Sequence, residues 1–178
     1  YVIAAKYPAA MEQFDQALAQ QQNTRRRATL HRKKAFVYEK SGLYDDAVRS
    51  LKESLVLLDS TIHLLESAQV YRGLSRVYFL QGNYEVSIEL SGLALEIMEK
   101  REDLPGIAQV CNVLGLAYAK AGETGKALEQ FQRSLAICEQ RNDSHGLSAT
   151  YNNLGQLALQ LGEYEDATRK FLRCIELC

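Results

Sequence analysis

The sequence repeats at a fixed interval of 40 residues. Gly42, Gly82, Gly122 and Gly162 are separated by that interval, and similar segments surround them: SGLYDDAVRSLKESLVLL, QGNYEVSIELSGLALEIM, AGETGKALEQFQRSLAIC and LGEYEDATRKFLRCIELC. A partial copy, AAKYPAAMEQFDQALAQ, lies near the start of the chain. Self-similarity at such a period is typical of proteins built by stacking one structural unit. The sequence therefore predicts an array of similar units.

Within each unit, the residues that match between copies fall at helical spacing on both sides of the glycine. Before Gly122 the matching stripe is Cys111, Leu114, Gly115 and Tyr118, and after it the stripe is Ala127, Phe131, Leu135 and Cys138. Steps of three and four residues place each set on one side of an α-helix. A glycine between two helices ends the first one at low cost by taking the left-handed conformation. Strand-like alternation is absent, so the fold class predicted is all-α, built from helix pairs.

The register divides the chain into a single array over residues 1–178. It contains a half repeat at residues 1–22 and four repeats at residues 24–60, 64–101, 105–141 and 144–178. The step from Tyr7 to Tyr44 is 37 residues rather than 40, so we expect a shorter first loop. Arrays of this kind need polar capping repeats, yet Cys178 takes a core position at the last residue. We expect a segment of a longer protein, or end faces covered by a partner or by self-association.

Composition excludes several classes of function. The formal net charge of −1 argues against general nucleic-acid binding, and no run is long and apolar enough to suggest a membrane helix. Each cysteine occupies a repeat position that the register assigns to the core: an apolar position for Cys138 and Cys178, a small one for Cys174, and for Cys111 the position of Tyr71 and Tyr151. We therefore expect core thiols without a metal or disulfide, in a reducing cytoplasmic setting. No cofactor is expected.

The histidines do not suggest catalysis. His31 falls in a core position of the register, whereas His63 and His145 lie in connections between repeats. Spacing places no cysteine nucleophile or carboxylate pair beside them. Most glycines belong to the repeat, and no phosphate-binding glycine motif occurs. We therefore predict that the chain is not an enzyme.

The repeated pattern resembles the tetratricopeptide repeat, in which Leu-Gly-x-x-Tyr is followed by Gly, Tyr-x-x-Ala and Phe-x-x-x-Leu. The third repeat carries it from Leu114 to Leu135 and the fourth from Leu154 to Ile175. Departures are Thr124 for Tyr, Ser87 for Ala, Ser91 for Phe and Lys34 for Leu.

The 40-residue period, with Asp-x-x-Gly at Asp103–Gly106 and Asp143–Gly146, is similar to a long-helix subclass of this family. That subclass includes Pins/LGN-type polarity adaptors, kinesin light chains and the repeat arms of bacterial signalling ATPases and transcription regulators. The resemblance implies a right-handed α-solenoid of antiparallel helix pairs whose first helices line a concave groove.

A second stripe on each first helix, offset by about 100° from the core stripe, supplies candidate binding residues. The resemblance implies that this stripe faces the groove, where amides and guanidiniums can bind a peptide and apolar side chains can anchor it. The candidates are Arg32, Phe36, Gln69, Arg72, Arg76, Phe79, Gln109, Asn112, Leu116, Asn152 and Gln156, with Leu159 as a further apolar anchor. The alternative for each is a solvated polar face.

Positive charge is concentrated near the beginning of the chain. The densest run comprises Arg25, Arg26, Arg27, Arg32, Lys33 and Lys34. It is either a solvated helix face or a surface for an acidic peptide, phosphates or nucleic acid. The family's carboxylate-clamp pattern, a lysine followed four residues later by asparagine, is absent, because Phe36 follows Arg32 and Arg76 follows Arg72.

These patterns predict a non-catalytic scaffold or adaptor that binds a partner peptide or helix in the groove. We expect the partner to be a protein, acidic where it meets the N-terminal half, and neither a membrane nor a nucleic acid. Two alternatives stay open. The array is a sensor or regulatory arm of a larger signalling protein, such as a transcription regulator or an ATPase, or it is a self-association module.

Overall fold

The computed structural model describes residues 7–59 and 62–177 as an all-α protein. The helices of these residues are α1 (Tyr7–Gln20), α2 (Thr24–Lys40), α3 (Tyr44–Val56), α4 (Leu64–Leu80), α5 (Tyr84–Lys100), α6 (Leu104–Lys120), α7 (Thr124–Gln140), α8 (Ser144–Gln160) and α9 (Tyr164–Glu176). From α2 onward they form antiparallel pairs, each packed against the next pair. The predicted solenoid of helix hairpins is confirmed.

The four periodic glycines make the turn inside each hairpin. All four adopt the left-handed backbone conformation, with φ between 75° and 82°. At Gly122, the next residue, Glu123, donates its backbone N–H to the carbonyl oxygen of Tyr118 at 2.9 Å. This bond satisfies a carbonyl that the end of α6 would otherwise leave without a partner. The turn predicted from the 40-residue interval is therefore confirmed.

Capping aspartates begin two of the first helices. The side chain of Asp103 accepts a hydrogen bond from the backbone N–H of Gly106 at 3.2 Å, and that of Asp143 accepts one from Gly146 at 2.9 Å. Each carboxylate satisfies a free N–H group at the positive end of a helix. These two contacts fix where α6 and α8 start.

The prediction of a shorter first loop is wrong. The connection between α1 and α2 occupies residues 21–23, the same length as the connections at residues 101–103 and 141–143. The missing residues come from α1 itself, which has 14 residues where α5 and α7 have 17. A three-residue connection leaves little to remove, whereas a helix can be three residues, or most of one turn, shorter.

In the third and fourth repeats, the core of the hairpin contains a glycine on the first helix that faces a phenylalanine ring on the second. Gly115 on α6 faces the ring of Phe131 on α7, which is fully buried. In the fourth repeat Gly155 faces Phe171 in the same way. A residue without a side chain on one helix thus makes room for a large ring on the other, and this close fit sets the distance between the two helices.

The second repeat replaces this pair with buried hydroxyls. Ser75 takes the position of Gly115, and its Oγ lies 2.6 Å from the Oγ of Ser91 and 3.0 Å from that of Ser87. Its hydroxyl also bonds the backbone oxygen of Ser87 at 2.9 Å. Buried polar groups are tolerated when they bond one another, so the two departures from the repeat pattern in α5 are matched by a third serine in α4.

The cysteines lie where the register places them. Cys111 and Cys138 are buried, Cys174 is half-buried, and all three are free thiols; Cys178 lies outside the described residues. Burial raises the pKa of Cys111 to about 11, so this thiol stays protonated and unreactive at neutral pH. His31 is half-buried, with Nδ1 3.0 Å from a carboxylate oxygen of Glu53.

Candidate ligand-binding groove

The four first helices, α2, α4, α6 and α8, contact one another side by side. A groove of about 790 Å³ runs along these helices. Side chains from all four line it, and Phe14 of α1 contributes at the end near α2. The groove therefore crosses several repeats and presents one surface made from equivalent positions.

Nine of the eleven candidate residues line this groove. They are Arg32, Phe36, Gln69, Arg72, Arg76, Phe79, Gln109, Asn112 and Leu116. Asn152 and Gln156 do not line it, although they hold the repeat positions of Asn112 and Leu116. In the described residues no first helix follows α8 to form a wall on that side. That any of these side chains binds a partner stays a prediction.

Four further groove residues, at one repeat position, were not predicted from the sequence. Each comes one residue after a predicted candidate: Lys33, Gly73, Val113 and Asn153. These four share a register position but no chemical character, so no repeated residue type marks them. The groove also includes Glu39, Leu80 and His145, which lie at other positions of the first helices.

Two equivalent arginine–glutamine hydrogen bonds, which we call rungs, join neighbouring first helices. Arg32 on α2 donates through Nη1 to the side-chain oxygen of Gln69 on α4, and Arg72 on α4 donates in the same way to Gln109 on α6. Both bonds join residues 37 positions apart. An amide oxygen positions a guanidinium but carries no charge, so the rungs hold two positive charges without neutralising them.

The surroundings of Arg72 are unfavourable for its charge. Burial, and then the neighbouring charges of Arg32 and Arg76, lower the pKa of Arg72. Its buried Nε has no hydrogen-bond partner in the described part of the chain. Arginine nevertheless remains charged in proteins. The groove floor therefore holds a positive charge that is partly removed from water and incompletely bonded.

Arg76 differs from the two rungs, because it has an acidic partner. Its Nε lies 2.9 Å from a carboxylate oxygen of Glu39, and the Glu39 side chain is only 7% exposed. Lys40 approaches the same oxygen at 3.7 Å. Glu39 is thus a buried acid held by two cations, and Arg76 is neutralised by the protein itself.

Asn112 uses its side chain inside the protein. Its amide nitrogen donates to Ser134 at 2.9 Å and to Thr150 at 2.8 Å, and its oxygen accepts from Asn153 at 3.2 Å. These bonds tie α6 to α7 and α8. Asn112 lines the groove, but its hydrogen-bonding capacity is largely occupied by packing between repeats.

Apolar side chains stand beside the charged ones. Phe36 is 55% exposed and Leu80 is 40% exposed, and both line the groove together with Phe79 and Leu116. The Phe79 ring packs against Tyr84, with the ring centroids 5.7 Å apart. Leu159, the fourth predicted anchor, is exposed but lies outside the groove lining. Exposed aromatic and aliphatic groups in a groove are typical of an interaction surface.

The basic run is partly bonded within the protein. Arg25 forms an ion pair with Glu66, and Lys34 forms one with Asp15 on α1. Lys34 departs from the leucine of the repeat pattern, and its cation finds a partner on the preceding helix. Lys33 is exposed and lines the groove. Part of this run is therefore a bonded helix face, and part of it contributes positive charge to the groove.

Neither a membrane-spanning helix nor a metal-binding cluster is found in the described part of the chain. No helix of residues 7–59 and 62–177 combines the length and the apolar character that crossing a bilayer requires. Among the same residues, no three side chains of His, Cys, Asp or Glu come together in a way that suits a metal ion.

Three of the solved structures with the same fold illustrate the similarity. MamA is 24% identical, with a TM-score of 0.65 over 97% of this chain and 89% of that protein. BtubC (BKLC) from P. vanneervenii is 21% identical, with a TM-score of 0.75 over 97% and 73%. A kinesin light chain-like protein of Podosopora anserina with nearly identical TPR-like repeats is 18% identical, with a TM-score of 0.67 over 97% and 87%.

The stacked hairpins and the concave face of first helices define the class as an α-solenoid. The family model of the tetratricopeptide repeat matches residues 26–100, 66–140 and 106–178. The chain belongs to the tetratricopeptide repeat family. No curated protein matches the sequence with significant similarity.

Proposed function

We propose that this array is a non-catalytic interaction scaffold that binds a segment of a partner protein in the groove of its first helices. The observation that supports this best is the composition of the groove, where exposed Phe36 and Leu80 stand beside the guanidiniums of Arg32 and Arg72. Apolar anchors with a few placed polar groups are the usual means of recognising a peptide or helix. The free thiols favour a cytoplasmic setting.

The groove is held in place by bonds between its helices. All of its lining residues except the capping Asp143 lie on helices, and neighbouring first helices are bonded by the rungs and by the Asn112 contacts. A surface held in place before binding loses less conformational freedom when a partner docks. Such a surface suits selective binding of one short segment.

A steric plug tests this proposal. Ala149 on α8 is exposed and lines the groove, whereas Ala136 on α7 is also exposed and does not line it. Peptides are first selected from a random display library on the wild-type protein, and their affinities are then measured for Ala149→Trp and Ala136→Trp. We expect Ala149→Trp to weaken binding by at least about tenfold, because a bulky ring occupies the groove, and Ala136→Trp to leave binding unchanged.

Two results would count against a docking groove. One is that no peptide is selected at all. The other is that the selected peptides bind Ala149→Trp as tightly as the wild-type protein. Circular dichroism of both variants checks that the helices are intact, since both substitutions place the same side chain on an exposed helix position.

A further inference from the structure

The groove carries an excess of positive charge at one end. Arg32, Lys33 and Arg72 line the end formed by α2 and α4, and Glu39 there is already bonded to Arg76. Within the described residues, neither Arg32 nor Arg72 forms an ion pair with a carboxylate, and each donates to a neutral glutamine instead. The two guanidiniums at the groove floor are therefore available to form an ion pair with a ligand.

The same end of the groove is also its aromatic end. Phe36 follows Arg32 by one helical turn, and Phe79 lies on α4 beyond Arg72. The α6–α8 end offers different chemistry: the neutral Asn153, the apolar Leu116, and His145 near Asp143. A bound segment consequently meets positive charge, the exposed ring of Phe36 and the half-buried ring of Phe79 at the first end, and largely uncharged groups at the second.

We propose that the α2–α4 end of the groove is a subsite for a carboxylate that stands next to a large apolar side chain in the partner segment. The carboxylate binds the guanidiniums of Arg32 and Arg72, and the apolar side chain packs against Phe36 and Phe79. This inference rests on the proposed function and adds the chemistry of the partner to it. The inference also specifies how the segment is placed along the groove, with its acidic part at α2 and α4.

Charge-assisted hydrogen bonds from arginine to a carboxylate are among the strongest polar contacts in proteins. Here the guanidiniums are held in place before binding by Gln69 and Gln109, so little side-chain freedom is lost on contact. A carboxylate also supplies the opposite charge that Arg72 lacks among the described residues, where its bonded partner is the neutral Gln109. The geometry therefore favours an acidic protein segment over a neutral one.

Four short synthetic probes test the subsite by fluorescence anisotropy. The first alternates phenylalanine and glutamate with serine spacers. In the second, glutamine replaces each glutamate; in the third, alanine replaces each phenylalanine; in the fourth, phosphoserine replaces each glutamate. A single-stranded oligonucleotide serves as a fifth probe. We expect the first probe to bind at least about tenfold more tightly than the second and the third.

Variants of the protein then locate the charge effect. Arg32→Gln and Arg72→Gln should each lower the affinity for the acidic probe by about tenfold. Arg72→Lys keeps the positive charge and should retain most of that affinity. Arg49→Gln is the matched control, because Arg49 is an exposed arginine on α3 that pairs with Asp46 outside the groove. Thermal melting identifies any variant whose fold is impaired.

The outcomes separate this inference from the proposal on which it rests. If library-selected peptides are sensitive to Ala149→Trp but are neutral, and are indifferent to Arg32→Gln and Arg72→Gln, the carboxylate subsite is wrong and the docking groove stands. If no probe and no library peptide binds, both fail. Tighter binding of the phosphoserine probe or of the oligonucleotide than of the carboxylate probe also overturns the assignment.

Discussion

Phe131→Ala should lower the free energy of unfolding by about 3–5 kcal/mol. The Phe131 side chain is fully buried between α6 and α7, and removing its ring leaves a cavity that Gly115 cannot fill, because glycine has no side chain to move into the space. Chemical denaturation monitored by circular dichroism measures the loss. Leu128→Ala on the same helix is the control, since Leu128 is 41% exposed and its truncation should cost far less. Equal losses for the two variants would contradict this account of the core.

Gly115→Leu should destabilise the same hairpin from the opposite side, by about 1–3 kcal/mol. A Cβ atom at Gly115 would lie 2.6 Å from Cε1 of Phe131, so the ring or the helix has to shift. Gly92→Leu on α5 is the matched control, because a Cβ atom there meets nothing within 4 Å. Leucine is a better helix former than glycine, so we expect Gly92→Leu to be neutral or stabilising.

Combining the two core changes provides a check on the mechanism. In Phe131→Ala with Gly115→Leu, the new side chain can enter the space that the ring vacates, so the double variant should lose less stability than the sum of the two single losses. Strictly additive losses would mean that the two positions do not act as one pair. Thermal melting of the single and double variants under one buffer condition supplies the comparison.

The hairpin fold could be predicted from the sequence because the repeat supplies the same evidence several times. One glycine before a helix is a weak signal, but Gly82, Gly122 and Gly162 at one interval are a strong one. Core positions followed from helical spacing for the same reason. What repetition cannot show is how a departure from the pattern is accommodated. Lys34 bonds to Asp15 and Ser91 bonds to Ser75 through contacts between helices, which spacing along the chain does not contain.

The sequence predicted which helix face forms the groove, but not which side chains on that face are free to bind a ligand. The register placed Arg72 and Asn112 in one stripe, the family resemblance implied that this stripe faces the groove, and both residues line it. The register could not show that the Asn112 side chain forms hydrogen bonds with Ser134, Thr150 and Asn153, because those partners come from other helices. For this reason a test of groove binding is better made with Arg72 than with Asn112, whose loss would weaken packing between repeats.

The central claim is that the first helices, and not the second ones, hold the partner segment. Backbone amide chemical shifts of the labelled protein, recorded as a library-selected peptide is added, test this most directly. The account predicts that the largest shifts fall on α2, α4 and α6, in residues that line the groove. Shifts confined to α3, α5 and α7, with the groove residues unchanged, would contradict it.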